Sequence, residues 1–432
     1  MRREAALPAL DDAPPIELVR DTRVSQTVPL SAVSAVRVSN VDKKSEPGEL
    51  PVRLCNYTDV YKNEYITNDL EFMHATASRA EVARFALRPG DVIITKDSET
   101  PDDIGIPSLV DNATAALVCG YHLAMIRPCL ETIDPTFLAK QLAQPRIARY
   151  FGQQANGSTR YGLSITSVEN TPIWLPSIGQ QRKIGAIARL LDRAIGRVEE
   201  LIAKLARIRL GLLEDLMVRD VDVFRSRPLS SIANVSFSSV DKITRFGEAP
   251  VRLCNYIDVY TRRYITADLP FMRASATRTE IARFGLQVGD VIITKDSETP
   301  DDIGVPTIVD GAAPDIVCGY HLALIRPNRE CVDPTFLSLQ FAHSRLKSYF
   351  GRQATGTTRY GLSTKGIEQA PILDLPVREQ ESRSSIMRRH DHHAAQIDDE
   401  LAKLRALRVS LMADLFSGRT VTPDAEIAGA RR

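Results

Sequence analysis

The stretch GDVIITKDSETPDDIG occupies Gly90–Gly105 and recurs letter for letter at Gly289–Gly304. Charged segments of this kind usually lie in loops, which tolerate substitution well, so a second identical copy needs an explanation. A constant step of 199 residues aligns nearly all of the chain, for example CGYHLA at 119–124 with 318–323. This period far exceeds the 20–50 residues of a solenoid repeat, so each copy is predicted to be a complete folded unit.

The bulk composition is that of an ordinary globular protein. Its 432 residues are 44% hydrophobic and 25% charged, enough for two or three domains that each bury a core. The net charge of +1 gives no whole-chain attraction to nucleic acid, although a basic face balanced by acidic helices stays open. No apolar run approaches ~18 residues and the N-terminus MRREAALPALDDAPP lacks an apolar signal core, so a cytoplasmic location without a membrane partner is expected.

Each copy begins with a part rich in short strands and loops. The segments VRLCNY, DVIIT and 117–126 are short, β-prone and bounded by turn residues, which predicts strands. A short helix is predicted around Pro135–Phe151, with Asp134 at the cap and an interruption at Pro145, where the second copy has Ser344. No cysteine pair has C-x-x-C spacing, and those in the repeated apolar runs are predicted to be free buried thiols: Cys55, Cys119, Cys254 and Cys318.

Each copy ends in a long segment with the apolar spacing of a coiled-coil helix. The steps alternate between three and four residues, and a helix over 180–217 would be about 57 Å long, too long for one small domain to cover. The predicted core positions of the first segment are Ile184, Ile187, Leu191, Ala194, Val198, Leu201, Leu205, Ile208 and Leu212. Those of the second are Ile386, His390, His393, Ile397, Leu404, Leu407 and Leu411.

The predicted fold class is therefore α+β, with two tandem domains of mixed strand and helix, each followed by a long helix. The two helices are predicted to pack as an antiparallel coiled coil with approximate two-fold symmetry. The predicted boundaries are 1–176 for the first domain with an N-terminal extension, 177–219 for the first helix, 220–376 for the second domain, 377–419 for the second helix and 420–432 for a tail.

Several short motifs recur in the same order in both copies. They are L-x-x-G-D-V-I-I (87–94, 286–293), I-R-P followed by D-P-T-F-L (126–138, 325–337), Gly-Ser/Thr-Thr-Arg-Tyr (157–161, 356–360), a Pro-rich segment before a glutamine-bearing helix start (175–181, 375–380) and L-x-x-x-R-x-x-L-x-x-D-L (205–216, 404–415). With these motifs around two long helices, the chain resembles the specificity (S) subunit of Type I restriction–modification systems from about residue 30 to residue 419.

The resemblance implies a set of expectations about function. Each compact domain would be a target recognition domain that reads one half of a split site in double-stranded DNA. The helices would space the domains and dock two methyltransferase (M) subunits, and a restriction (R) subunit can join such a complex. The chain itself would have no catalytic site and no cofactor, with S-adenosylmethionine, ATP and Mg²⁺ belonging to the partner subunits. Because the two copies are so alike, a palindromic or nearly palindromic target is expected.

The duplicated loop supplies the first candidate DNA-binding residues. Its side chains match those that read base edges, with Lys suited to guanine, Asp or Glu to cytosine, and Ser or Thr to either. The candidates are Lys96, Asp97, Ser98, Glu99, Thr100, Lys295, Asp296, Ser297, Glu298 and Thr299. A solvated turn is one alternative. A Mg²⁺-dependent nuclease or modification centre is another, with Asp97, Glu99, Asp102 and Asp103 as its acids, although Lys96 precedes these acids instead of following them.

Two further segments add candidates in each copy. The loop at 157–161 offers glycine, hydroxyls, a guanidinium and an aromatic ring, which suits contact with phosphate or base as well as an ordinary turn. The neighbouring Tyr and His of the CGYHLA run suit either DNA contact or a structural role. The candidates are Ser158, Thr159, Arg160, Tyr161, Thr357, Thr358, Arg359, Tyr360, Tyr121, His122, Tyr320 and His321. Asn56 and Tyr57, which follow a strand, are weaker candidates.

One histidine-rich segment has the residue types of a metal site. His390 and His393 would share a helix face in the run HDHH at 390–393. The first copy has LDRA at 191–194 in the matching places, which favours a local packing difference, and no metal is predicted. Besides the specificity subunit and the stand-alone enzyme, a coiled-coil scaffold that binds only protein is the third function class to be tested.

Overall fold

A computed structural model describes residues 26–113, 116–218 and 225–417 of the chain. The predicted N-terminal extension and the predicted tail at 420–432 lie outside these residues. The chain divides into two units: the first joins the residues up to Val198 with those from Glu400 onward, and the second is Glu199–Asp399. Each unit therefore contains one copy of the mixed domain and parts of both long helices.

The first unit is built from short strands and helices before its long helix. The strands are β1 (Gln26–Pro29), β2 (Ser34–Val38), β3 (Leu50–Cys55), β4 (Tyr65–Ile66), β5 (Met73–Ala77), β6 (Val92–Thr95), β7 (Asp97–Ser98), β8 (Pro107–Val110), β9 (Leu117–Cys119), β10 (Leu123–Pro128), β11 (Tyr161–Gly162) and β12 (Pro172–Leu175). The helices are α1 (Tyr57–Lys62), α2 (Arg79–Phe85), α3 (Pro135–Leu142), α4 (Pro145–Gln154), α5 (Ile165–Glu169) and the long α6 (Ile178–Val218).

The second unit repeats the same order of elements. The strands are β13 (Ser226–Pro228), β14 (Ala233–Phe237), β15 (Ala249–Cys254), β16 (Tyr264–Ile265), β17 (Met272–Ala276), β18 (Val291–Thr294), β19 (Asp296–Ser297), β20 (Pro306–Val309), β21 (Ile316–Cys318), β22 (Leu322–Pro327), β23 (Tyr360–Gly361) and β24 (Pro371–Leu373). The helices are α7 (Tyr256–Thr261), α8 (Arg278–Phe284), α9 (Pro334–Ala342), α10 (Ser344–Gln353), α11 (Thr364–Glu368) and the long α12 (Val377–Phe416).

A five-stranded sheet separates two hydrophobic cores in each unit. Its strand order is β2-β10-β6-β8-β4 in the first unit and β14-β22-β18-β20-β16 in the second. Successive side chains of a strand point to opposite faces, so Val92 and Ile94 of β6 join the core formed with α3 and α4. Ile93 joins the other core, formed with the three-stranded sheet β5-β3-β9. Because both faces are covered, the central strand is apolar throughout, as the DVIIT segment predicts.

The glycine that ends the duplicated segment allows close packing against a helix. Gly105 has φ +78°, and a Cβ atom there would lie 2.2 Å from the Phe151 ring of α4. Gly304 has φ +76°, with the Phe350 ring of α10 at 2.6 Å from such an atom. A side chain at either position would both clash and require an unfavourable backbone conformation, which accounts for the glycine in both copies.

Each long helix is fixed at its start by a buried glutamine. Gln181 Oε1 accepts the Asp134 N–H at 2.9 Å, and Gln181 Nε2 donates to the carbonyls of Thr132 and Pro176. Gln380 makes the equivalent bonds in the second unit although the sequence before it differs. Since a buried amide must be hydrogen-bonded, these contacts hold the first turn of each helix on its own domain.

The two predicted long helices are confirmed, with 41 residues in α6 and 40 in α12. In the first unit, Met412 near the end of α12 shares a core with Ile184 near the start of α6. In the second unit, Met217 near the end of α6 shares a cluster with Met387 near the start of α12. These contacts fit an antiparallel pairing, while a coiled coil along the full helices and its pseudo-two-fold axis stay predictions.

Part of the predicted apolar stripe is exposed. Leu201, Ile208 and Leu407 are 37%, 41% and 49% accessible, so assigning them to a buried seam was wrong for the chain by itself. Heptad spacing therefore does not by itself show that a helix face is buried.

Near its histidines, the second long helix also buries a different residue from the one predicted. His393 is exposed, and the buried position is Asp391. Its carboxylate accepts Arg209 Nε at 2.8 Å and the Tyr264 hydroxyl at 3.0 Å. The coiled-coil spacing alone could not reveal this, because a buried ion pair replaces an apolar contact at that point.

Two smaller predictions were tested by the structure. The helix around Pro135–Phe151 is two helices, α3 and α4, and the second unit has the same break without a proline. There His343 caps α10, with its Nδ1 accepting the Arg345 N–H at 3.2 Å. The four cysteines of the apolar runs are free and buried, as predicted. None of the described helices combines the length and the apolar character needed to cross a membrane.

Candidate nucleic-acid interface

The register of the five-stranded sheet brings the candidate segments of the first unit together. Strands β6 and β10 are antiparallel neighbours, with Thr95 opposite Leu123. Lys96, the next residue, donates its N–H to the His122 carbonyl at 2.9 Å and accepts the Leu163 N–H at 2.9 Å. The Lys96 backbone therefore joins the duplicated loop to the turn at His122 and to the end of the 157–161 loop. Lys295 makes the same pair of bonds in the second unit.

The turn that carries Tyr121 and His122 is strained. The predicted single run over 117–126 is two strands, β9 and β10, which belong to different sheets. His122 has φ +71° and His321 has φ +57°, and these are the two non-glycine residues with positive φ in the described parts of the chain. Such a conformation persists only where the surroundings impose it, and it concentrates at functional sites.

Asp97 holds the His122 ring and the Lys96 ammonium group. One carboxylate oxygen lies 2.5 Å from His122 Nδ1, and Lys96 Nζ donates to both oxygens at 2.7 and 2.8 Å. With Nδ1 engaged, Nε2 is the ring nitrogen left for a ligand. Burial by itself raises the pKa of the Asp97 carboxyl, but the bonds from Lys96 and His122 outweigh it and hold the pKa below its usual value. Asp296 has the same partners and the same direction of pKa shift.

The lowered pKa makes the contribution of Asp97 to stability depend on pH. A carboxyl whose pKa is lower in the folded state stabilises that state above its ordinary pKa, about 3.9, and loses this contribution as the pH falls through the folded value. We expect Asp97→Asn to lower the free energy of unfolding by about 1–2 kcal/mol at pH 7, and the difference from the wild type to shrink as the pH falls through the lowered pKa of Asp97. Urea unfolding at pH 7 and along a series of acidic pH values measures it. Asp102→Asn, which alters an exposed carboxylate of the same loop, is the matched control, and a gap that persists in acid would contradict the assignment.

A cleft opens beside this turn in each unit, with a volume of about 540 Å³ in the first and about 590 Å³ in the second. The first cleft is lined by Lys43, Tyr57, Thr58, Asp97, Ser98, Glu99, Thr100, Asp103, Tyr121, His122 and Arg160. The second cleft is lined by Lys242, Tyr256, Ile257, Tyr260, Asp296, Ser297, Glu298, Thr299, Asp302, Tyr320, His321 and Arg359.

A tight hairpin presents Arg160 to the first cleft. Strand β11 pairs with β7, and Asn156 and Gly162 exchange two backbone hydrogen bonds at 3.0 and 2.9 Å. Gly157 has φ +146°, and a Cβ atom there would lie 1.8 Å from the Arg160 carbonyl oxygen. The glycine of this motif is therefore required by the hairpin, and the following residues form its exposed tip.

A pair of stacked tyrosines lies at each cleft; Tyr57 lines the first cleft, and both Tyr256 and Tyr260 line the second. Tyr57 and Tyr61 stack with ring centroids 5.6 Å apart, and the Tyr61 hydroxyl donates to Asp103 at 2.9 Å. The second unit has the same stack and the same bond. Sequence reasoning rated Tyr57 weakly and missed Tyr61 and Lys43. Their signal was present in the segments V-D-K and N-Y-x-D-V-Y, which both copies share.

The structure divides the predicted DNA-binding residues into exposed and supporting groups. Among the predicted residues, those that line a cleft with exposed side chains are Glu99, Thr100, Tyr121, Arg160, Glu298, Thr299, Tyr320 and Arg359. Ser98 is buried, and Lys96 lies outside the cleft lining, bonded to Asp97. Ser158 and Thr159 are exposed on the hairpin but do not line the cleft, and Tyr161 packs partly against the core. The second unit repeats this for Lys295, Ser297, Thr357, Thr358 and Tyr360. Contact of any of these residues with DNA stays a prediction.

The acids of the nuclease alternative do not converge on a metal position. Asp97 is engaged by Lys96 and His122, and Asp103 accepts the Tyr61 hydroxyl. Over residues 26–113, 116–218 and 225–417, no group of three or more His, Cys, Asp or Glu side chains is placed to hold a metal ion. The histidines at 390–393 fall within that range as well.

Comparisons with known proteins give one sequence relative and several similar folds. No protein-family model matches the chain. A protein of Methanocaldococcus jannaschii, named by inference as the specificity subunit of type I restriction enzyme MjaX, is 23% identical over 158 residues. That match spans 36% of this chain and 36% of the relative, about a third of each.

The solved structures show the fold over almost the whole chain. The S subunit of a Type I restriction–modification system from M. genitalium is 14% identical, with a TM-score of 0.58 over 95% of this chain and 99% of that one. A chain from a study of the assembly of a type I restriction–modification system is 16% identical, with a TM-score of 0.52 over 93% and 99%. The resemblance to Type I specificity subunits is thus confirmed, in sequence over about a third of the chain and in fold over nearly all of it.

Proposed function

We propose that this chain is the DNA-specificity subunit of a Type I restriction–modification complex, with recognition domains at 1–176 and 220–376. The observation that carries the proposal is the pair of clefts, each built around a strained histidine that an aspartate holds in place. The equivalent histidine has a strained backbone in both units and lies beside the same exposed polar residues. This indicates that the two units bind the same kind of ligand.

The exposed side chains of the first cleft suit the edges of base pairs. Arg160 offers a fork of donors for guanine, Glu99 an acceptor for the cytosine amino group and Thr100 a hydroxyl for either. Lys43 adds a positive charge suited to a phosphate at the rim. Because the second cleft repeats these residues, the two half-sites should be inverted near-copies of one another, separated by a fixed gap that is not read.

The long helices are the proposed docking surface for two M subunits. Large apolar side chains are exposed on both: Leu190, Leu201, Ile208 and Leu210 on α6, and Leu407 and Val409 on α12. A partner that covers them would remove apolar surface from water. The chain itself carries out no reaction, and S-adenosylmethionine, ATP and Mg²⁺ are bound by the M subunits and by an R subunit where one joins.

The test is to co-express the chain with the Type I M subunits of its own host and to map modified bases across the genome. We expect one bipartite motif with a fixed gap and near-palindromic half-sites. A strongly asymmetric motif would contradict shared reading by the two clefts. Cleavage of DNA by the purified chain with Mg²⁺ alone would favour the stand-alone enzyme, and absence of any DNA shift with M subunits present would favour the protein-binding scaffold.

A further inference from the structure

One loop beside the cleft differs between the units at four consecutive positions. The first unit has KSEP at 44–47 where the second has ITRF at 243–246. Each loop directly follows a lysine that lines its cleft, Lys43 or Lys242. The difference therefore lies at the rim of two clefts whose other side chains are nearly the same.

Phe246 stands at a turn position that favours proline. The Glu248 N–H donates to the Arg245 carbonyl at 3.4 Å, and Gly247, with φ +85°, is the third residue of this turn. The matching Pro47 in the first unit is the residue preferred at the second position, because its ring fixes φ. Phenylalanine gains nothing from the turn, and its side chain is fully exposed. A choice that brings no local benefit indicates a contact made elsewhere.

Two isoleucines extend the apolar surface at the same rim. Ile243 follows Lys242 and is 58% exposed, and Ile257, on α7, lines the second cleft and is 66% exposed. The first unit has Lys44 and Thr58 in these places. The second cleft therefore has an exposed apolar side chain, Ile257, where the first has Thr58. The loop that follows its lysine carries two more at Ile243 and Phe246, although both clefts present the same arginine, glutamate and histidine.

We propose that Ile243, Phe246 and Ile257 recognise the C5-methyl group of a thymine in the half-site bound by the second unit. The inference rests on the proposed function and deepens it: the target would be palindromic in the bases read by the shared residues and would require one extra thymine on one side. Among unmodified base pairs, the thymine methyl is the apolar group on the major-groove edge. The exposed Lys242, which lines the second cleft, also favours the phosphate backbone of DNA over an apolar protein partner.

The test removes only that methyl group. The full-length chain, in complex with its M subunits, is titrated with a duplex that carries the motif found by mapping modified bases. In a series of further duplexes, each thymine of the motif is replaced in turn by deoxyuridine. We expect one replacement to weaken binding about fourfold, the effect of one buried methyl group. Phe246→Pro, which restores the residue of the first unit and keeps the turn, should abolish that sensitivity. The reciprocal Pro47→Phe should create a second sensitive position in the other half-site.

The outcomes separate this inference from the proposed function. Tight binding of the motif that is insensitive to every deoxyuridine would overturn the thymine contact while leaving the specificity role intact. If Phe246→Pro weakened binding of the thymine duplex and of the deoxyuridine duplex equally, the thymine contact would also be overturned, because Phe246 would then act without the methyl group. If Phe246→Pro weakened binding of an M subunit and left DNA binding unchanged, the rim would be a protein contact. Failure of the wild-type complex to bind the motif would reject the proposed function itself.

Discussion

Replacing Arg160 and Arg359 together by alanine is expected to lower the affinity of the chain for its target DNA about a thousandfold. Both arginines line a cleft and are exposed next to the tip of a hairpin whose glycine fixes its shape. A guanidinium can donate two parallel hydrogen bonds to a guanine edge or a phosphate, and losing one such pair costs about 1–3 kcal/mol. The effects should add because the two sites lie in different units. Folding should be unchanged, since both side chains are exposed.

Titration of a labelled target duplex at one fixed salt concentration measures this effect. Arg79→Ala, an exposed arginine on α2 outside the cleft, is the matched control and should bind as the wild type does. The pair Arg160→Lys and Arg359→Lys keeps the charge and removes the fork. Binding restored by lysine would assign the contact to phosphate, and binding that stays weak would assign it to a base edge. Wild-type affinity in the double alanine variant would show that the clefts are not the DNA interface.

The duplication made most of the fold predictable. An exact repeat with a polar loop, a glycine-ended turn and a heptad tail predicted two similar domains and two long helices, because these patterns follow from side-chain periodicity. The exposed Leu201 and the buried Asp391 were not predictable in the same way. Heptad spacing shows which residues share a helix face, but whether that face is covered depends on partners and on ion pairs formed across the structure.

The site was only half predictable, for a related reason. Residue chemistry identified the arginine, glutamate and threonine of the cleft. It could not show that Asp97 would be engaged by Lys96 and His122, because that contact depends on the register between β6 and β10. The positive φ of His122 could not be predicted either, because the residue is not a glycine and stands in a β-prone run. The sequence therefore predicts one strand over 117–126, whereas the structure has two strands of different sheets joined by a turn.

Replacing His122 and His321 by glycine is expected to separate the free-energy cost of the strained turn from the role of the imidazole ring. Glycine adopts positive φ freely, whereas a residue with a Cβ atom pays about 1–2 kcal/mol. Relief of that strain should offset the lost bond to Asp97 or Asp296, so we expect the free energy of unfolding to stay within about 1 kcal/mol of the wild type. Target affinity should fall about a hundredfold, because the ring that the aspartate orients is gone.

Alanine at the same two positions completes the design. It removes the ring just as glycine does but keeps the Cβ atom in the strained conformation, so the alanine variant should unfold more easily than the glycine variant by about 1–2 kcal/mol per unit. Both should bind the target equally poorly. Denaturant unfolding and duplex titration of the two variants thus measure backbone strain and ring contact independently. If the glycine variant bound DNA as the wild type does, His122 and His321 would only shape the turn, and the strain would have to serve the placement of Tyr121 and Tyr320 instead.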